Sequence, residues 1–252
     1  MIGLIPHSWL NDLGIPPWVW NPLSISLHAA FEATIVVAIL GVALGYILAK
    51  GRFPGRDVIE TVLSLPMALP PTVVGYYLLT RLGGPGPIRT AEIHLFGHPL
   101  TFTFTGIVVA QVVESFPYCL RFSRTAIADV DPRFEQAARA MGLSRWRVTF
   151  LVTLPLARRG IVAGIAMAFG RALGDFGATM IVAGSVPMAT TMPLALYNAV
   201  FFGSHEHAMV LAFVQLGVAF FILLGVSRLG RARRADTAQG IRAMVPTRRR
   251  AI

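Results

Sequence analysis

The sequence predicts an all-α membrane protein, a polytopic helical bundle of five transmembrane helices, or six if one further apolar segment crosses. Three observations predict it. Of 252 residues, 55% are hydrophobic and 13% charged, with a mean hydropathy of +0.65, whereas a soluble domain carries about a quarter charged residues. Five segments have the length and apolar character of a membrane span, which needs about twenty residues in helical form because lipid offers backbone amides no partner. The Lys and Arg residues behind the net charge of +10 are interrupted by these long apolar runs, so membrane topology explains them better than nucleic-acid binding.

The first span runs from about Ile25 to Ala49 and the second from about Val58 to Thr80. Pro66, Pro70 and Pro71 should kink or break the second, which survives only where protein or a water-lined path satisfies the freed carbonyls. The third span covers Thr101 to Leu120, the fourth Gly160 to Gly184 and the fifth His207 to Leu229. Thr190 to Gly203 is apolar but only fourteen residues long, which suits a re-entrant or surface-lying helix. Residues 1–24, with Trp9, Trp18 and Trp20, form an extracytoplasmic, interfacial segment. Its first part, Met1 to Asn21, lacks Lys and Arg, so no cleavable signal peptide is expected. Residues 25–229 form the membrane domain, containing a cytoplasmic loop at 121–159, and 230–252 a basic cytoplasmic tail expected to be disordered.

Charge sets the orientation. Nineteen Lys and Arg residues lie on one side of the spans, two on the other, and Arg171 lies within the fourth span. The basic side is cytoplasmic by the positive-inside rule, which places the N-terminus outside and both the long loop and the C-terminus inside.

The long loop has helix grammar. Asp131 suits an N-cap, Pro132 the first helical position and Glu135 the first turn, and Gly142 supplies a stop. Between them Ala137, Ala138 and Ala140 give a helix of little bulk that another protein can approach closely. After Gly142, Leu143, Trp146, Phe150 and Leu154 recur at helical spacing against Arg145 and Arg147, up to Pro155. That stretch should lie at the cytoplasmic interface.

This loop resembles the EAA loop of ABC importer permeases, a Glu-Ala-Ala, three residues, a Gly, then some nine residues to a Leu-Pro pair. Aligned on Gly142, the pattern falls on Gln136, Ala137, Ala138, Leu154 and Pro155, with Gln in place of Glu and Glu135 one position earlier. FPGRDVIETVLSLPMALPPTVVGYYLL, FEQAARAMGLSRWRV and AFGRALGDFGAT together resemble molybdate permeases, with sulfate permeases as near relatives. The resemblance implies a type I importer fold, a homodimer of permease subunits, and an ATPase subunit docked on Glu135, Gln136, Ala137, Ala138, Gly142, Leu154 and Pro155. It also implies an extracytoplasmic binding protein that delivers molybdate, and by shared shape and charge tungstate, or alternatively sulfate or thiosulfate. The chain would be non-catalytic and hold no cofactor, with ATP and magnesium on the partner ATPase. Its one lysine, Lys50, is followed by Gly51 and Arg52, so no P-loop is present.

Polar groups inside the spans are the remaining candidates. Arg171 lies about eleven residues into the fourth span, about 16 Å at 1.5 Å per residue, near mid-bilayer. Asp175, four residues on, either neutralises it along one helix face or stands with it on the permeation pathway. Gln111 and Glu114 in the third span should face the bundle interior. Cys119 has no disulfide or metal partner in the sequence, and His205, Glu206 and His207 are weak evidence of a metal site. A redox-enzyme membrane subunit would need paired intramembrane histidines or cysteine clusters, and a passive channel gives no reason for the helical loop.

Overall fold

A computed structural model describes residues 16–184 and 190–244. The first helix, α1 (Pro17–Lys50), starts where Pro16 and Pro17 preset the backbone, and closes with the Gly51 amide on the Ile47 carbonyl. Its 34 residues span about 51 Å at 1.5 Å per residue, beyond the apolar core of a bilayer. Trp18 and Trp20 belong to its first turn, so the segment 1–24 and the first span share one helix, while Trp9 lies outside the described residues.

The second span is a broken pair, α2 (Arg56–Ala68) and α3 (Pro71–Gly83), meeting at 109°. Leu69 and Pro70 each precede a proline and are held extended, with ψ of 149° and 136°, so no helix can pass through them. A short helix that the sequence did not announce, α4 (Pro87–Phe96), follows.

Next comes α5 (Phe104–Ala128), capped at its start by Thr103, whose hydroxyl accepts the Gly106 amide at 3.2 Å. It carries Gln111, Glu114, Arg121 and Arg124 and is not among the described helices long and apolar enough by composition to cross a membrane. It has no need to be so apolar, because it is sandwiched between α1 and the long helix that follows the loop. Ala29, Ala30 and Ala33 of α1 meet Ile107 and Val108 of α5 and Ala172 and Leu173 beyond, a small-residue seam that lets backbones approach. Arg124 also pairs with Glu60 of α2.

The loop folds as its grammar predicts. Asp131 accepts the Arg133 amide at 2.9 Å at the start of α6 (Pro132–Ala140). At its end the Leu143 amide reaches the Ala138 carbonyl and the Gly142 amide the Arg139 carbonyl, a Schellman closure with Gly142 at φ +86°. An alanine at Gly142 meets no neighbour but must enter left-handed backbone at a cost of about 1 kcal/mol. Gly142→Ala should therefore raise the hydrogen-exchange rate of the 138–143 amides while the membrane helices keep their protection.

A single rod follows, built of α7 (Arg145–Val148), a π turn (Thr149–Thr153) and α8 (Leu154–Leu173). The π turn answers Pro155, which has no amide to give, and the Leu154 amide reaches five residues back to the Thr149 carbonyl. The fourth span, expected to run unbroken to Gly184, stops at Leu173 and resumes as α9 (Gly177–Ala183) after Gly174, Asp175 and Phe176. Then α10 (Met192–Phe202) packs Met192 and Leu194 inward, its first amide donating to Ser26 of α1 at 2.7 Å.

Last, α11 (His205–Met244) is apolar through Gly225 and continues to Met244. Residues 230–244 are thus helical where composition alone suggests a disordered tail: Ala, Arg, Gln and Met extend an existing helix without a nucleation cost. Among the described residues three helices are long and apolar enough to cross a membrane, four if the bent α2–α3 pair is one span.

Candidate translocation and coupling sites

Two polar assemblies stand out, one within the bundle and one at the base of the loop. In the first, Arg171 on the last turn of α8 pairs through Nη2 with Glu114 of α5 and, more loosely at 3.6 Å, through Nη1 with Asp175. The two carboxylates are almost closed off, their side chains 2% and 0% exposed, while the Arg171 side chain is 21% exposed. The guanidinium borders a cleft of about 360 Å³ that Tyr118, Gly174, Gln215 and Leu223 also line. Arg171 lines this cleft, and Glu114 and Asp175 are not among its lining residues. The three formal charges sum to −1, so a passing anion meets a cation already more than balanced.

This arrangement extends the spacing argument for Arg171 and Asp175. The i to i+4 pair forms at 3.6 Å although α8 has ended before Asp175. Asp175 also caps α9, its Oδ2 accepting the Thr179 amide at 3.1 Å and the Thr179 hydroxyl at 2.6 Å. The close partner of Arg171 is Glu114, from another helix. A usable signal existed, since Glu114 is the one acid in the third span and a mid-span arginine needs a counter-charge. Gln111, one turn before Glu114, is buried with neither amide atom hydrogen-bonded.

The second assembly ties three elements together. Glu135 Oε1 accepts from Lys50 Nζ at 2.9 Å and from the Thr153 hydroxyl at 2.7 Å. One turn before Lys50, the Tyr46 hydroxyl meets the Thr149 hydroxyl at 2.7 Å. Thr149 and Thr153 open and close the π turn, so both of its ends are pinned. Burial alone would raise the Glu135 carboxyl, but hydrogen bonds from Lys50 and Thr153, with the charges of Lys50 and Arg139, outweigh it and hold it below its ordinary value. The stabilisation is thus complete above the ordinary carboxylate range and is lost only as pH falls through the lowered value.

These contacts divide the predicted coupling residues. Glu135 and Ala138, three apart on α6, are buried against the chain itself, and Leu154 packs with Ile127, Val130 and Ala157. Gln136, Ala137, Gly142 and Pro155 are exposed. Phe134, Ala137 and Met141 form an outward stripe, with Met141 77% exposed, and Trp146, 73% exposed, stacks with Phe150 nearby in the chain. So large an apolar display on a loop marks a contact surface.

Residues 41–234 match the family described as binding-protein-dependent transport system inner membrane component. The chain is 38% identical over 217 residues to the molybdenum transport system permease protein ModB of Escherichia coli (strain K12), covering 85% of this chain and 95% of that one. It is 31% identical over 238 residues to the sulfate transport system permease protein CysT of the same organism, covering 92% and 86%. Its fold is similar to that in the crystal structure of a bacterial alginate ABC transporter in complex with an alginate-bound periplasmic protein, with a TM-score of 0.70 at 16% identity over 90% of this chain and 83% of that one. With the family matched over most of its length and a helical fold shared with ABC importers, the chain belongs to the inner-membrane components of binding-protein-dependent transport systems.

Proposed function

We propose that this chain is the permease subunit of an ATP-driven importer that carries molybdate, and with it tungstate, inward across the inner membrane. The observation that carries the coupling half is the outward stripe of Phe134, Ala137 and Met141 on a capped, small-residue helix. Such a surface fits a groove on a separate ATPase, which would hold ATP and magnesium, while this chain holds neither. The cargo half rests on the 38% identity to the molybdenum permease against 31% to the sulfate permease. Sulfate or thiosulfate is the second reading.

In this reading two identical chains form the pathway, an extracytoplasmic binding protein delivers the oxyanion, and lipid covers the apolar flanks. The charge count supports an N-terminus outside, with α6 and the C-terminus in the cytoplasm. Arg171 lines the pathway and lowers the barrier to a dianion, while the carboxylates of Asp175 and Glu114 beside it, which leave the cluster at a formal −1, keep the dianion from being held tightly. Selection then lies largely in the binding protein.

Vanadate-sensitive ATPase activity of the reconstituted complex with its binding protein tests the cargo. Molybdate should raise it several-fold at concentrations where sulfate does nothing, and stimulation by sulfate alone would replace this reading with the second. Docking is tested by Ala137→Arg, which sets a long charged side chain on the exposed face of α6. The variant should fold normally yet retain the ATPase about tenfold less well on co-purification, equivalent to about 1.4 kcal/mol.

A further inference from the structure

We infer that Lys50, Glu135 and Thr153 are positioning residues for transport, forming the link through which movement of α6 reaches the central helix α1. The inference rests on the proposed docking of an ATPase at α6. It adds that Glu135 acts within this chain and not on the ATPase.

The argument starts from how little else joins α6 to the bundle. The helix packs on α7 and the π turn, and its buried residues are Glu135 and Ala138. One oxygen of Glu135 then serves two different elements, Lys50 at the last residue of α1 and Thr153 at the end of the π turn. The Tyr46–Thr149 hydrogen bond joins the same two elements one turn away. The base of the rod and the end of α1 are therefore bound side by side, and α6 grips both.

The chemistry of the grip makes it a link that is kept during movement. Glu135 is 9% exposed, and pulling its carboxylate from Lys50 leaves a buried charge unpaired, which is far costlier than moving the pair together. The receiving element is well placed. α1 packs along α5 and α8 and touches α10, so a displacement at Lys50 is felt on three sides. Lys50 is the chain's one lysine, in a protein with 21 arginines. Its ammonium is a compact charge on a flexible stem, able to follow the carboxylate as α6 tilts.

The experiment uses proteoliposomes holding the permease, its ATPase and its binding protein, with molybdate as probe and the number of molybdate ions imported per ATP hydrolysed as readout. Lys50→Met and Glu135→Gln should keep the ATPase bound and hydrolysing while this ratio falls about tenfold. Lys50→Arg should recover most of it. The exchanged pair Lys50→Glu with Glu135→Lys should exceed either of its single reversals. Thr153→Val, which keeps the volume and removes one hydrogen bond, should lower the ratio two- to threefold and carries the test with Lys50→Arg if Lys50→Met does not fold.

A wild-type ratio in Lys50→Met, or in Thr153→Val, overturns the link. Release of the ATPase by Lys50→Met also overturns it, since the pair would then only shape the docking face. Failure of the wild-type chain to hold any ATPase would instead overturn the docking reading, leaving a distinct signature.

Discussion

Arg171→Gln should remove most folded protein from the membrane, measured as loss of the monodisperse peak in fluorescence-detected size-exclusion chromatography. The substitution leaves Glu114 and Asp175 facing one another in the bundle with no cation, their side chains 2% and 0% exposed. Removing one partner of a buried ion pair costs about 3–5 kcal/mol, a large share of the roughly 5–15 kcal/mol that holds a domain together. The double substitution Arg171→Gln with Glu114→Gln should restore the peak. It removes both charges of the close pair, and Asp175 keeps its two bonds from Thr179. A double variant no better folded than the single one would mean that shape and not charge was lost. In the restored protein, uptake at the wild-type rate with normal ATPase activity would take Arg171 off the pathway and leave it a clamp between α5 and α8.

Gly164→Leu should be as damaging, and by sterics alone. Even a methyl group at Gly164 would stand 2.7 Å from the Phe122 Cβ and 3.3 Å from the Cys119 carbonyl, so the rigid neighbours include backbone and cannot rotate aside. Overpacking of this kind costs about 1–3 kcal/mol where side chains can move, and more where two helices must part. The folded peak should vanish. Gly170→Ala, on the next turns of the same helix and with nothing within 4 Å of its added Cβ, should leave the peak intact. Equal damage from both would show that the glycines serve helix flexibility and not the α5–α8 seam.

The contrast between these glycines shows how far the sequence could be read. Small residues spaced three or four apart announce that helices pack closely, yet only the packed bundle distinguishes Gly164, against α5, from Gly170, beside the cleft. The loop was legible in detail because its signals are local. Asp131, Pro132 and Gly142 act on backbone within four residues of themselves, and the α6 cap and closure follow. Pro70 and Pro71 told of a break but not of its 109° angle, which depends on what α2 and α3 pack against. Spacing found one partner of Arg171, Asp175 four residues on, and missed the closer one, Glu114, which lies 57 positions away in sequence.

Apolar length, basic loops and the capped helix of the EAA-like loop were determined by the sequence by itself, because each depends on residues near one another along the chain or on their sum. The tertiary structure alone decided that Glu135 and Ala138 turn inward while Ala137 and Met141 turn out. It also decided that Lys50 meets Glu135 and that Arg171 meets Glu114. Charges buried where water cannot reach must find opposite charges wherever the fold brings them, and sequence distance places no limit on that choice.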